Sequence, residues 1–276
     1  MPRANRHYLP GLIWHITHRC HDRQFLLKFS PDRLNWLGWL RKARERHGLC
    51  VLDYSVTCNH VHLLALDNGD RDCIPASMQL AAGSTAQNYN TRRGRRGAFW
   101  EDRYHATAVE TGTHLLRCMA YIDLNMVRAG AAAGPADWRD CGYREIQGLK
   151  QRGQLIDVKA LARLVAGGDE RELRRMHGEL VQSTLLGETP GRVDYWSSSV
   201  AVGSPQFIRR VHAMLDERAE GREPLGLPGV SVLREPSAYY GPEPLRGATE
   251  GEWYLPGDNT FTWRTVAGSG GSGQLS

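Results

Sequence analysis

The spacing of apolar residues changes period several times in the first 130 positions. Gly11 to Cys20 shows the two-residue alternation of a strand, with Trp14 and Ile16 on one side. Ser30-Pro31-Asp32 then reads as a helix start, with Ser30 as N-cap and Pro31 in the first turn. Leu34, Trp36, Leu37, Leu40 and Ala43 continue as a helical stripe that stops near Gly48. Cys50 to Thr57 is apolar and β-prone, Asn59 interrupts it, and His60 to Leu66 resumes as a second strand, antiparallel to the first. Ile74 to Tyr89 reads as a helix, residues 99–109 hold a strand centred on Tyr104 to Val109, and a further helix runs from Thr113 to about Arg128, with Gly130 placed to stop it.

The resulting order is strand, helix, strand, strand, helix, strand, plus a last helix. That is the ferredoxin-like βαββαβ plan in the α+β class, with an antiparallel sheet. After Gly130 the pattern changes. A catalytic unit is expected over residues 1–150 and a helical extension over 151–220. A Gly- and Pro-rich extended tail over 221–276 carries Trp253, Tyr254, Phe261 and Trp263, and residues 268–276 look like a flexible linker.

Composition narrows the partners. The chain has 276 residues and a formal net charge of +5, and the arginines cluster. Arg3 and Arg6 lie near the start, and Arg92-Arg93-Gly94-Arg95-Arg96 reads as a basic loop before Phe99-Trp100. Such clusters suit a phosphate backbone, and Trp100 offers a ring for base stacking or a core anchor. The six cysteines include no CxxC pair, which argues against a zinc ribbon. No apolar run is long enough to span a bilayer and the start has no signal-peptide core, so a cytoplasmic, nucleoid-associated protein without a membrane partner is expected.

Two short patterns carry chemistry. His60 and His62 sit two residues apart on a strand, so both imidazoles face one side and can share a divalent ion. Two buried, hydrogen-bonded histidines of no catalytic consequence would look the same. On the later helix Arg117, Tyr121, Asn125 and Arg128 recur at helical spacing and form one polar stripe. A phenol is a weak nucleophile at its ordinary pKa of about 10 and needs a polarised phosphate. Asn125 can add its carbonyl oxygen to the two histidines, while Arg117 and Arg128 can hold flanking phosphates.

Together the patterns resemble the HUH single-strand transposases, and more closely the REP-associated tyrosine transposases of bacteria. The resemblance rests on Cys58-Asn59-His60-Val61-His62-Leu63-Leu64, on Phe99-Trp100-Glu101-Asp102-Arg103-Tyr104-His105, and on the stretch from Tyr121 through Asn125 to Gly130, where Met126 replaces a family proline. Trp138 to Tyr143 resembles the segment that follows in relatives. The resemblance implies the HUH endonuclease fold and Mg2+ or Mn2+ held by His60, His62 and Asn125. It implies Tyr121 as nucleophile, a 5′-phosphotyrosine intermediate, and single-stranded or hairpin DNA of the repetitive extragenic palindrome type as substrate. It adds Arg103 to the DNA-binding set and implies no ATP or other small-molecule cofactor. Relatives work as monomers or homodimers. A catalytically silent hairpin binder and a metal-dependent nuclease using water remain open at this point.

Overall fold

The computed structural model describes residues 9–150, 153–187 and 193–234. Arg3, Arg6, the aromatic residues of the tail and the linker-like end lie outside the described residues. Among the described residues no helix is long and apolar enough to cross a membrane.

The first unit follows the expected order. Strand β1 (Ile13–Arg19) leads to helix α1 (Ser30–His47), strands β2 (Cys50–Val56) and β3 (His60–Leu66), helix α2 (Cys73–Arg93) and strand β4 (His105–Val109). The four strands lie in the order β2-β3-β1-β4, all antiparallel, as a ferredoxin-like sheet requires. Helix α1 begins one residue earlier than its cap was expected, with Phe29 at the N-cap position and Pro31 in the first turn. Gly48 adopts φ 68° and ends it, a conformation that glycine takes without steric cost.

The alternation within β3 is weaker in burial than in chemistry, because both faces of the sheet are covered. His60 to Ala65 are all buried. On β1, His18 stacks on Trp100, whose Nε1 donates to the Ala82 carbonyl of α2, so that face looks toward the α1–α2 layer. The opposite face carries His15, Thr17, His60 and His62. Helix α3 (Thr113–Asp123) and helix α4 (Asn125–Arg128) lie against this second face. The tyrosine helix is therefore not continuous to Arg128, as its periodicity predicts. Leu124 leaves helical geometry at φ −85°, ψ 1°, and a fresh turn starts at Asn125. No proline is required for the break. It lets Asp123 and Asn125, only two residues apart, each enter a buried polar site. Gly130 follows at φ 67°, where a stop was expected.

Residues 135–146 staple the sheet from one side. Trp138 Nε1 donates to the Val56 carbonyl, Arg33 stacks on Trp138 and pairs with Asp140 at 2.5 Å, and Gly142 N–H donates to the Tyr54 carbonyl. A Cβ on Gly142 would sit 2.1 Å from Asp53 Oδ1, so only glycine lets this segment approach. Helix α5 (Tyr143–Ile146) carries Glu145, which is almost wholly buried. It accepts hydrogen bonds from Tyr54 Oη, Lys150 Nζ and the Leu155 and Ile156 amides. Burial pushes this carboxyl up, but those four donors outweigh it and hold the group below its ordinary value of 4.5. A carboxylate depressed in the folded state contributes stability above its unfolded pKa and loses it as pH falls through the folded one. Glu145→Gln is thus expected to lower the melting temperature at neutral pH and to flatten the loss of stability as pH falls below about 5, followed by thermal melts across pH.

The chain beyond residue 150 departs from a purely helical extension followed by an unpaired tail. Helices α6 (Val158–Val165), α7 (Glu170–Leu186) and α8 (Tyr195–Ser198) are present, and Asp169 caps α7 by accepting from the Arg171 and Glu172 amides. Strand β5 (Ser199–Gly203) then pairs in parallel with β4. Helix α9 (Pro205–Leu215) and the hairpin of β6 (Pro224–Leu227) and β7 (Val230–Arg234) follow, and β7 pairs with β5. The four-stranded sheet becomes seven-stranded, in the order β2-β3-β1-β4-β5-β7-β6. Buried Val200, Val202, Val232 and Leu233 supply the apolar contacts that hold these short strands.

Candidate active site

Strand pleating points His60 and His62 to the same side, and the two Nε2 atoms lie 3.0 Å apart. Their protonation follows from their other nitrogens. Asn59 Nδ2 donates to the Arg23 carbonyl, so Asn59 Oδ1 faces His60 Nδ1 at 2.7 Å as an acceptor. The Thr57 hydroxyl donates to the His60 carbonyl and also receives Nδ1. His60 therefore carries its proton on Nδ1. His62 Nδ1 meets His15 Nε2 at 2.9 Å, and His15 Nδ1 donates to the Trp196 carbonyl at 2.7 Å. Burial, with the charge of His105 acting in the same direction, pushes His15 down to about 4 against the favourable pull of that carbonyl. Burial first, and then the charges of His60, His15, Arg128 and Arg19, also hold His62 well below the usual histidine range. Both rings are neutral near pH 7, and the chain of donors leaves His62 with its proton on Nδ1.

The Nε2 atoms of the two rings thus face each other, as two ligands of one ion would. Asn125 completes the group, with its side-chain nitrogen 3.1 Å from His62 Nε2. Its Oδ1 is buried and has no hydrogen-bond partner among the described residues. Turning the amide over places an oxygen where the nitrogen stands, since the two ends have nearly the same shape. No group of three His, Cys, Asp or Glu side chains among the described residues is placed to hold a metal. The set here is two imidazoles and an amide. It fits a divalent ion on two counts, the facing Nε2 atoms and the orphaned amide oxygen, and each ring is already oriented through its second nitrogen.

Tyr121 lies one turn before the helix break. Its ring is 5.8 Å from that of His62 and 6.0 Å from that of His15, edge-on to both. Trp196 flanks it at 6.4 Å, and the residue is 7% exposed, so the phenol sits under cover rather than on an open helix face. Arg128 lies over the Tyr121 ring at 4.6 Å and donates to the Tyr121 carbonyl. Burial lowers the Arg128 pKa, while the neighbouring Tyr121 raises it.

The family comparisons divide the chain at this site. Residues 9–125 match the family model described as transposase, IS200-like, and the match runs from the start of the sheet through Asn125. The match covers less than half of the chain. Two solved structures are similar in outline. A REP-associated tyrosine transposase bound to a REP hairpin is 18% identical, with 57% of this chain and 94% of that chain covered and a TM-score of 0.45. A transposase from Deinococcus radiodurans R1 is 19% identical, with 40% and 87% covered and a TM-score of 0.31. No curated protein matches.

The expected polar stripe does not stay together. Tyr121, Asn125 and Arg128 converge, but Arg117 is exposed and donates to the Gly229 carbonyl of the β6–β7 hairpin. The basic loop is in part helical, because Arg92 and Arg93 form the last turn of α2 and Gly94 ends it at φ 59°. Arg92 pairs with Asp32, Arg93 lies 5.6 Å over the Phe29 ring, and Arg95 donates to Asn90 Oδ1. Arg96 and Arg103 are exposed. Trp100 is half-buried, with His18 stacked on it at 4.2 Å and Phe99 against it at 4.8 Å. That packing favours the core-anchor role of the ring. Sequence reasoning missed His15 and Trp196. The only local sign of His15 was a histidine between two apolar strand residues, and its two partners are far away in the chain.

Proposed function

We propose that the chain cuts and rejoins single-stranded DNA through a covalent bond to Tyr121, acting beside a hairpin of the repetitive extragenic palindrome type. The observation that carries this reading is the convergence, within one chain, of Tyr121 and Asn125 with the His60–His62 pair. The phenol oxygen attacks the phosphorus, the bond to the 3′ oxygen breaks, and the proton lost by Tyr121 balances the one gained by the departing 3′-hydroxyl. The phosphotyrosine keeps the energy of the phosphodiester bond, so the reverse attack by a 3′-hydroxyl rejoins the strand without ATP. His60, His62 and Asn125 would hold Mg2+ or Mn2+, which neutralises charge on the scissile phosphate. Two imidazoles make the set better suited to Mn2+. Arg128, lying over the phenol ring, stabilises negative charge on its oxygen when the bond to phosphorus breaks. Arg92, Arg93, Arg96 and Arg103 are the proposed backbone contacts, with Arg3 and Arg6 kept from the sequence reading. The tyrosine reaches the histidines of its own chain, which supports action in cis.

The test is a hairpin oligonucleotide with a single-stranded flank, labelled on its 3′ portion and incubated with protein and Mn2+. A labelled band migrating with denatured protein is expected, and none with EDTA. Cleavage without such a band would favour a water nucleophile. Hairpin binding without cleavage in any divalent metal would favour a silent reader.

A further inference from the structure

The histidine pair is held from outside the family-matched segment. His15 is wholly buried on β1, diagonal to His62 in the β1–β3 register, where Thr17 stands opposite His62 and His15 opposite Leu64. The two ring planes are within 16° of parallel, their centroids are 5.1 Å apart, and they are joined edge to edge by the 2.9 Å contact between His15 Nε2 and His62 Nδ1. The far nitrogen of His15 meets the Trp196 carbonyl at 2.7 Å. A carbonyl can only accept, so His15 carries its hydrogen on Nδ1 and presents a lone pair at Nε2. That lone pair selects the Nδ1–H form of His62 and turns the His62 Nε2 lone pair toward His60 and Asn125.

Trp196 lies 71 residues past the end of the matched segment, on α8, the helix that directly precedes β5. Its carbonyl is fixed by its surroundings. The Trp196 side chain is 3% exposed and packs beside Tyr121. Three residues on, the Ser199 carbonyl accepts from Thr107 Oγ1 and His105 Nε2 of β4. We infer that His15 is a positioning residue for His62, and that the α8–β5 segment sets the tautomer of that ligand through the Trp196 carbonyl. The extension is on this account a working part of the active site. The inference rests on the proposed metal-dependent reading for its activity readout, but not for its spectroscopic one.

The experiment uses the full-length chain. Long-range 1H–15N NMR of the histidine rings without metal is expected to show His62 protonated on Nδ1, and an Nε2-protonated His62 in the folded wild type would overturn the inference outright. His15→Phe removes the acceptor, whereas His15→Gln keeps an oxygen that can face His62. With Mn2+ titrated into the cleavage assay, the Phe variant is expected to need about 10- to 100-fold more metal for half-maximal rate, with the rate at saturating metal little changed and the Gln variant between it and wild type. An unchanged metal requirement in a folded Phe variant, with His62→Ala inactive, would overturn the positioning role alone. If His62→Ala and wild type respond to Mn2+ alike, the metal-dependent reading fails, and the NMR result still decides the tautomer. Should the Phe variant not fold, the wild-type spectrum remains the deciding measurement.

Discussion

Tyr121→Phe is expected to abolish the protein–DNA adduct and to reduce strand cleavage by at least about 1000-fold, because no other group takes over once a covalent nucleophile is removed. The substitution isolates the oxygen. Phenylalanine keeps the ring beside His62, Trp196 and Arg128, whose contacts with Tyr121 are through the ring and the backbone carbonyl. Hairpin binding should stay close to wild type, and the fold should lose no more than about 1–2 kcal/mol of stability. The assay pairs a denaturing gel for the adduct with a binding titration of the same preparation. An adduct at undiminished yield would move the nucleophile to another hydroxyl and leave Tyr121 a packing residue.

His177→Ala is expected to destabilise the fold strongly. His177 on α7 and Asp123 at the end of α3 are both wholly enclosed, and His177 Nε2 stands 2.9 Å from Asp123 Oδ2. Gln147 Nε2 donates to the Arg174 carbonyl and faces His177 Nδ1, so the His177 proton lies on Nε2, toward the carboxyl. Asp123 also accepts from the Tyr143 amide. Burial raises the Asp123 pKa, and the His177 contact and that amide oppose the rise. Removing one partner of a buried pair costs about 3–5 kcal/mol, since the other remains desolvated. In a chain of this size that corresponds to a fall in melting temperature on the order of 10 °C. Asp123 lies between Tyr121 and Asn125, so adduct formation should fall further than stability explains. Calorimetry and the adduct assay below the transition measure the two effects separately. A melting temperature within about 2 °C of wild type would show that the pair does not lock α7 to the tyrosine helix.

The parts of the site that could be read from the chain are those written in local spacing. His60 and His62 share a face because strands repeat every two residues, and Tyr121 and Asn125 lie near each other because helices repeat every 3.6. The βαββαβ order was likewise legible, since each element has its own period and its own stop, such as Gly48 and Gly130. What escaped depends on contacts distant in sequence. His15 acquires its role from Trp196, 181 positions later. Strand β5 is the five-residue stretch Ser-Val-Ala-Val-Gly, too short to be told from the end of a helix by pattern alone. Strands β6 and β7 lie in Gly- and Pro-rich sequence that reads as tail until β5 offers an edge to pair with. The break at Leu124 has no glycine or proline to mark it, and it is fixed by what Asp123 and Asn125 reach rather than by helix propensity.

The pairing of β5 with β4 also determines what a shortened polypeptide would expose. In the family-matched segment alone, β4 would be a border strand, with one row of amides and carbonyls left open. The later strands close that row and move the border out to β6, four short residues with Pro224 at their start. A fragment ending near residue 150 would expose the open row to solvent and to other copies of itself, the situation that drives strand-to-strand aggregation. A cut anywhere between residue 125, where the family match ends, and β5 would leave that row open, and the added strands serve as a guard rail for solubility.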